Sequence, residues 1–81
     1  MSDADLNLIY LERIDASRNM ARFYYLMTEP DLFGRWSLVR RWGRIGSWGH
    51  ERIETFDTGE SAKAAGLALK ALKLRRHYVQ R

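Results

Sequence analysis

Residues 40–50, with the sequence RRWGRIGSWGH, place three arginines, one histidine and two tryptophans around three glycines. Arginine guanidinium groups bind phosphates through charge-assisted hydrogen bonds, and a flat indole ring packs against a base or a sugar. Alternate residues of an extended strand share a face, so Arg40, Trp42 and Arg44 are predicted to point the same way. Basic, aromatic and basic side chains in that order would suit contact with a nucleic-acid backbone.

Whether these three side chains are exposed depends on which face of the sheet the helix covers. If Val39 and Ile45 face the helix of the domain, Arg40, Trp42 and Arg44 stand together on the open face of the sheet. In the alternative, Trp42 is a core residue whose indole N–H is bonded to a carbonyl group, with an arginine stacked on the ring. Residue types and spacing favour neither alternative.

Further residues complete the predicted surface. Gly43 adds no side chain, which lets a backbone approach closely or a bulge form. Trp48 lies between two glycines in a hairpin loop and is predicted to be exposed, whereas Phe33 and Trp36 are assigned to packing. The predicted DNA-binding residues are Arg40, Arg41, Trp42, Gly43, Arg44, Trp48, Lys70 and Lys73.

Four apolar or aromatic runs predict the strands that position these residues, at 6–14, 20–29, 35–46 and 50–56. Residues 58–76 are rich in alanine and leucine and predict a helix, with Asp57 or Thr58 as its N-cap. The fold class is therefore α+β: a small antiparallel β-sheet of about four strands with one C-terminal helix packed on one face.

A helical wheel divides the residues of this helix between an apolar face and a basic face. Ala65, Ala68, Leu69 and Leu72 are predicted to pack on the sheet, and a stripe formed by Lys63, Lys70 and Lys73 to lie on the other side. Leu67 and Leu74 are placed at the edge of the apolar face. They are either rim residues of the core or half-covered leucines that touch a partner.

Length, charge and composition limit the number of domains, the kind of surface and the cellular location that we expect. We expect one domain, residues 1–81, with a core of about residues 6–80. Residues 1–31 carry three arginines and six acidic residues, whereas residues 32–81 carry eleven basic and four acidic residues. The second part can therefore form a strongly positive surface. Without cysteine, a signal peptide or a run long enough to span a membrane, the chain is expected to be cytoplasmic.

Catalytic and cofactor sites are poorly supported by the sequence. The chain has two histidines and no cysteine, so a zinc site would need scattered carboxylates. There is no P-loop, and GRIGSWG stands between two strands, outside the strand-to-helix context of a dinucleotide fingerprint. No convincing Ser-His-acid set is present. We expect a non-enzymatic protein with no metal, cofactor or small-molecule substrate.

Residues 42–46, WGRIG, resemble the signature that names the WGR domain family. RFYYL at residues 22–26 is similar to the preceding strand of that family, and FDTGESAKAA at residues 56–65 to its helix entry. The resemblance covers roughly residues 6–80. It implies a small antiparallel sheet with a helix on one face, as found in DNA-damage-dependent poly(ADP-ribose) polymerases and in bacterial proteins, some of them stand-alone.

In those polymerases the domain binds near a DNA break, so the resemblance implies DNA and interdomain contacts for Trp42 and Arg44. Residues 1–81 contain neither zinc fingers nor an ADP-ribosyl transferase domain. The family's role of relaying DNA damage to a catalytic domain therefore has no such domain to act on within this sequence. His77 stands where many relatives have glycine.

Two functions of different class follow. The first is a DNA-binding module that recognises the backbone of a duplex, its ends or structured DNA, since no recognition helix is apparent. The second is a protein-interaction module that docks an acidic partner through the same face.

Overall fold

Residues 8–81 form five antiparallel strands, one α-helix and a single 3-10 turn at Ala16–Arg18. The computed structural model describes residues 8–81. Its elements are β1 (Leu8–Asp15), β2 (Met20–Pro30), β3 (Trp36–Arg44), β4 (His50–Phe56), α1 (Gly59–Arg75) and β5 (Val79–Gln80). The strands lie in the order β4-β3-β2-β1-β5. The predicted sheet and C-terminal helix are confirmed. No helix within the described residues is long and apolar enough to cross a membrane.

The fifth strand was not predicted because it is only two residues long. Gln80 and Val79 pair with Leu11 and Glu12 of β1. So short a segment has no readable alternation of apolar and polar residues. The chain reaches this edge because α1 crosses the sheet and returns it to β1.

Both ends of α1 are capped. Thr58 is the N-cap, and its hydroxyl oxygen accepts a hydrogen bond of 3.0 Å from the Ser61 N–H, as one of the two predicted alternatives requires. At the other end, the N–H of Tyr78 donates to the Lys73 carbonyl at 3.1 Å, and the N–H of His77 to that of Leu74 at 3.2 Å. This is a Schellman motif. His77 has a φ of 72°, the left-handed conformation that favours glycine.

The core lies between α1 and one face of the sheet. Its largest fully buried side chains are Leu11, Leu26 and Leu38, one from each of the three central strands. Ala62 and Gly66 are the buried residues of α1. Because both are small, the helix approaches the sheet closely; a methyl group on Gly66 would lie 3.4 Å from Leu38 Cδ1.

The predicted packing face of α1 is therefore partly wrong. Ala65 and Leu69 do pack against the core, but Ala68 is exposed and Leu72 is 36% exposed. The helix is rotated so that Ala62 and Gly66 meet the sheet. Lys73 then lies on the packed side, and the predicted outward stripe of lysines does not form.

The helix α1 covers the face of the sheet that carries Arg40 and Trp42. Leu38 is buried beneath the helix, and Arg40 and Trp42 follow it at alternate positions of β3. Val39 points to the opposite face, where it is buried without the helix. The predicted alternation along β3 is confirmed. Of the two alternatives, the one in which Val39 faces the helix is not realised, because Leu38 rather than Val39 belongs to the core cluster.

The two aromatic residues assigned to packing have different surroundings. Trp36 is half-buried, and its indole packs so closely against α1 that a methyl group on Gly59 would lie 2.8 Å from Cε2. Phe33 is 85% exposed at the tip of the β2–β3 loop, so its assignment to packing is wrong. The Asp31 carboxylate accepts from the Phe33 and Arg35 N–H groups, which fixes the backbone of this loop.

Candidate nucleic-acid interface

A cleft of about 370 Å³ opens where the β1–β2 turn, the end of β3 and the C-terminal turn of α1 meet. The start of β2 also contributes to its walls, through Met20, Ala21 and Arg22. Its charged and aromatic lining comprises Arg18, Arg22, Trp42, Arg44, Lys73 and Tyr78. Among residues 8–81, no aspartate or glutamate lines this cleft. The cleft is therefore a concentration of positive charge beside aromatic rings.

Trp42 is both a packing residue and a wall of the cleft. Its ring lies 6.3 Å from that of Tyr24 and 5.9 Å from that of His50, between centroids. The side chain is half-buried and packs against the core, and it also lines the cleft. It combines the packing of a core residue with access from the cleft, so neither sequence-based alternative describes it alone.

Two exposed arginines face each other at the mouth of the cleft. Arg22 of β2 and Arg44 of β3 are directly paired in the antiparallel register. One guanidinium nitrogen of Arg44 donates to the Asn19 carbonyl at 3.2 Å, which positions the group without neutralising it. Within the described residues, neither arginine forms an ion pair, whereas Arg18 approaches Asp15 at 3.6 Å. Among the described residues, Arg22 and Arg44 are therefore exposed guanidinium groups without a carboxylate partner.

Lys73 reaches the cleft from α1. Its Nζ lies 4.6 Å from the centroid of the Tyr24 ring and 5.2 Å from that of Tyr78. Burial lowers the pKa of Lys73, and the nearby charges of Arg76, Arg22 and Arg40 lower it further. That like charges disfavour this ammonium group shows how positive the region is. A bound phosphate would relieve the repulsion.

The close approach of two backbones explains the glycine at position 43. A methyl group there would lie 2.8 Å from the Cα of Gly49, so the two ends of the β3–β4 hairpin meet without side chains. Gly43 also lines the cleft between Trp42 and Arg44. A side chain at position 43 would point to the opposite face of the sheet, towards Ser47 and Phe23, so this glycine keeps the hairpin closed.

Four of the eight predicted residues thus come together: Trp42, Gly43, Arg44 and Lys73. Arg41 and Trp48 lie on the other face of the sheet, where the Arg41 guanidinium stacks 3.8 Å above the Trp48 ring and bonds to Glu51 at 2.8 Å. Trp48 is 69% exposed, in agreement with its predicted exposure. The guanidinium of Arg41 is already occupied.

The remaining two predicted residues are separate from the cleft. Arg40 shares a face with Trp42 but forms an ion pair of 3.0 Å with Glu54, and its side chain is only 18% exposed. Lys70 is half-buried on α1 and is not part of the lining. Arg18 and Arg22 were missed; the pairing of Arg22 with Arg44, which follows from the hairpin register, could have identified one of them.

In the described part of the chain, no group of three histidine or carboxylate side chains is arranged to hold a metal ion. The chemistry that the cleft offers is anion binding by guanidinium and ammonium groups, together with contact against an indole ring.

Comparisons with known proteins agree with this architecture. The WGR domain family matches residues 8–81. The chain is 43% identical over 83 residues to an uncharacterized protein, y4dW, of Sinorhizobium fredii (strain NBRC 101917 / NGR234); the match covers 96% of this chain and 41% of that protein. The chain thus spans less than half the length of this relative. No solved structure matches it significantly. With all of its described residues matched, the chain belongs to the WGR domain family.

Proposed function

We propose that the protein is a non-enzymatic DNA-binding module that holds the phosphate backbone in the basic cleft. The observation that carries the proposal is the grouping of Arg22, Arg44 and Lys73 around Trp42, with no acidic residue of the described range 8–81 in the lining. The WGR family, known in nucleic-acid-binding contexts, supports it. Clustered positive charge that lacks internal partners attracts polyanions and releases their counterions.

The cleft suits backbone contact better than base reading. Arg22 and Arg44 extend from paired positions at the sheet end, from which each can bind a phosphate oxygen. Trp42 presents an indole ring held against Tyr24, on which a sugar or an unstacked base can pack. Since α1 packs on the sheet and does not project as a recognition helix, duplex ends or structured DNA fit better than a sequence read in the major groove.

A protein-interaction module is the second candidate. Leu67 and Leu74 are exposed on α1, in agreement with their predicted half coverage, and the cleft offers cations to a partner's carboxylates. This function requires an acidic protein surface in place of a polyphosphate chain.

Titration of a labelled duplex at two salt concentrations tests the proposal. Arg44→Gln and Arg22→Gln should each weaken binding and reduce the slope of log K against log salt by about one. Arg35→Gln is the control, because it removes one positive charge about 30 Å away at the other end of β3, where Arg35 forms an ion pair of 3.1 Å with Asp57. Trp42→Leu should weaken binding with the salt slope unchanged, since stacking carries no charge.

The outcomes separate the two candidates. Equal losses for Arg35→Gln and Arg44→Gln would mean that only net charge matters, which contradicts a site at the cleft. No binding at low salt would contradict the DNA proposal and favour an acidic protein partner.

A further inference from the structure

The edge strand β4 has free backbone groups along its outer side. The Ile45 N–H donates to the Ala21 carbonyl across the β2–β3 pair at 2.8 Å. Because hydrogen-bonding direction alternates along an antiparallel strand, the odd-numbered residues of β3 bond to β2 and the even-numbered ones to β4. Because β3 and β4 pair even-numbered residues with even-numbered residues, the backbone N–H and C=O groups of the even-numbered residues of β4 bond to β3.

Three residues of β4 then direct their N–H and C=O groups away from the sheet: Glu51, Ile53 and Thr55. The register places them opposite Arg41, Val39 and Ser37, all odd-numbered residues that bond to β2. Within residues 8–81, the backbone groups of these three residues find no other partner. β4 is the outermost strand on its side of the sheet, so the outward groups form an open ladder of donors and acceptors.

The side chains of β4 complement a second copy of the same strand. Ile53, at the centre, is 58% exposed, and Arg52 and Glu54 flank it with opposite charges. An antiparallel pairing about a two-fold axis at Ile53 places the two isoleucines opposite each other. It also places Arg52 of each copy opposite Glu54 of the other, and opposite charges in cross-strand pairs are stabilising.

Other registers lack this complementarity. An axis at Arg52, Glu54 or Glu51 would set each of those charged residues against its own copy, which is destabilising. An axis at Thr55 would leave only part of β4 paired. The charges of this edge therefore select one pairing instead of preventing every pairing.

We propose that the protein self-associates through β4 into a two-fold dimer, with Ile53 on the axis and one continuous sheet across both copies. Arg52 is exposed and, among the described residues, has no ion-pair partner. Glu54 already accepts from Arg40 at 3.0 Å, and its carboxylate has further acceptor sites for Arg52 of the second copy. No residue of β4 lines the basic cleft, so the interface is independent of the proposed DNA site.

The interface is small. A seven-residue strand that pairs only along its edge buries less than a stable interface normally does, so the association is weak and reversible. Symmetric interfaces repeat every contact, and both the Arg52–Glu54 pair and the backbone ladder are made twice.

Sedimentation equilibrium up to about 1 mM protein, without DNA, tests the dimer. We expect a mass that rises with concentration towards that of two chains. Arg52→Glu should weaken the association at least about tenfold, because two attractive pairs become two repulsive ones. The matched control is Arg75→Glu, which makes the same charge change on an exposed residue of α1 and should leave the association unchanged.

Amide hydrogen exchange supplies a readout that needs no variant. As the concentration rises, the amides of Glu51, Ile53 and Thr55 should gain protection, while exposed amides elsewhere stay unchanged. A monomer at every concentration would overturn the proposal. So would an association that survives Arg52→Glu and leaves these three amides unprotected, since it would use another surface.

Discussion

The β3–β4 connection offers a matched pair of substitutions that measures how tightly the hairpin closes behind Trp42. Gly46 and Gly49 have φ values of 95° and 79°, and each would strain an alanine. Their surroundings differ. A methyl group on Gly46 would meet nothing within 4 Å, whereas one on Gly49 would overlap the Trp42 carbonyl and lie 3.0 Å from Phe23 Cζ.

The expected magnitudes follow from this difference. A positive φ costs an L-residue about 1 to 2 kcal/mol, and this cost applies to both Gly46→Ala and Gly49→Ala. The overlap at Gly49 involves backbone atoms, which cannot rotate away, and forcing atoms into filled space costs about 1 to 3 kcal/mol more. Gly49→Ala should therefore lower the unfolding free energy by that further amount relative to Gly46→Ala.

Thermal and urea denaturation followed by circular dichroism measure the difference. For a domain of this size, the additional loss corresponds to a Tm about 5 to 20 °C lower for Gly49→Ala than for Gly46→Ala. Equal losses for the two variants would refute the reasoning, because they would show that the hairpin can open at Gly49 without cost and that contact with the Trp42 carbonyl is not limiting.

Two further predictions concern the end of α1. His77→Gly should raise the unfolding free energy by a few tenths to about 1 kcal/mol, because glycine adopts the left-handed C′ conformation without strain but is more flexible when unfolded; a lower urea midpoint would contradict this. The pKa of Lys73 is lowered mainly by burial, so the folded chain binds fewer protons than the unfolded chain just below the ordinary lysine pKa, and stability from this group rises with pH there. The urea midpoint of the wild type should therefore rise relative to that of Lys73→Met as the pH increases from neutral to about 10. A difference between the two midpoints that does not change with pH would contradict burial as the cause of the lowered pKa.

Local features of the fold follow from the sequence because they depend on neighbouring residues. The segment 50–56 was predicted as a strand and forms β4 with the same bounds. Thr58 caps α1 through the backbone of Ser61, and a side-chain oxygen three residues from an N–H needs no tertiary contact to find it. The exposure of Trp48 likewise follows from the two glycines that flank it in a tight loop.

Features that depend on contact between distant segments were decided only by the tertiary structure. The alternation along β3 divides its residues between two faces, but the pattern is symmetric, and burial of Leu38 under α1 determined which face Trp42 occupies. The small residues Ala62 and Gly66 set the rotation of α1, which carried Lys73 into the cleft.

The candidate site shows the same division. The motif residues Trp42 and Arg44 are identified by type and spacing within one strand. Arg22 joins them through strand register and Lys73 through helix packing, and neither relation exists in any local window of the chain. Residue types by themselves determined which chemistry is available, namely cations and an indole ring. Packing of the helix against the sheet decided which of those groups share one cleft, because only burial of the apolar core brings the three elements together.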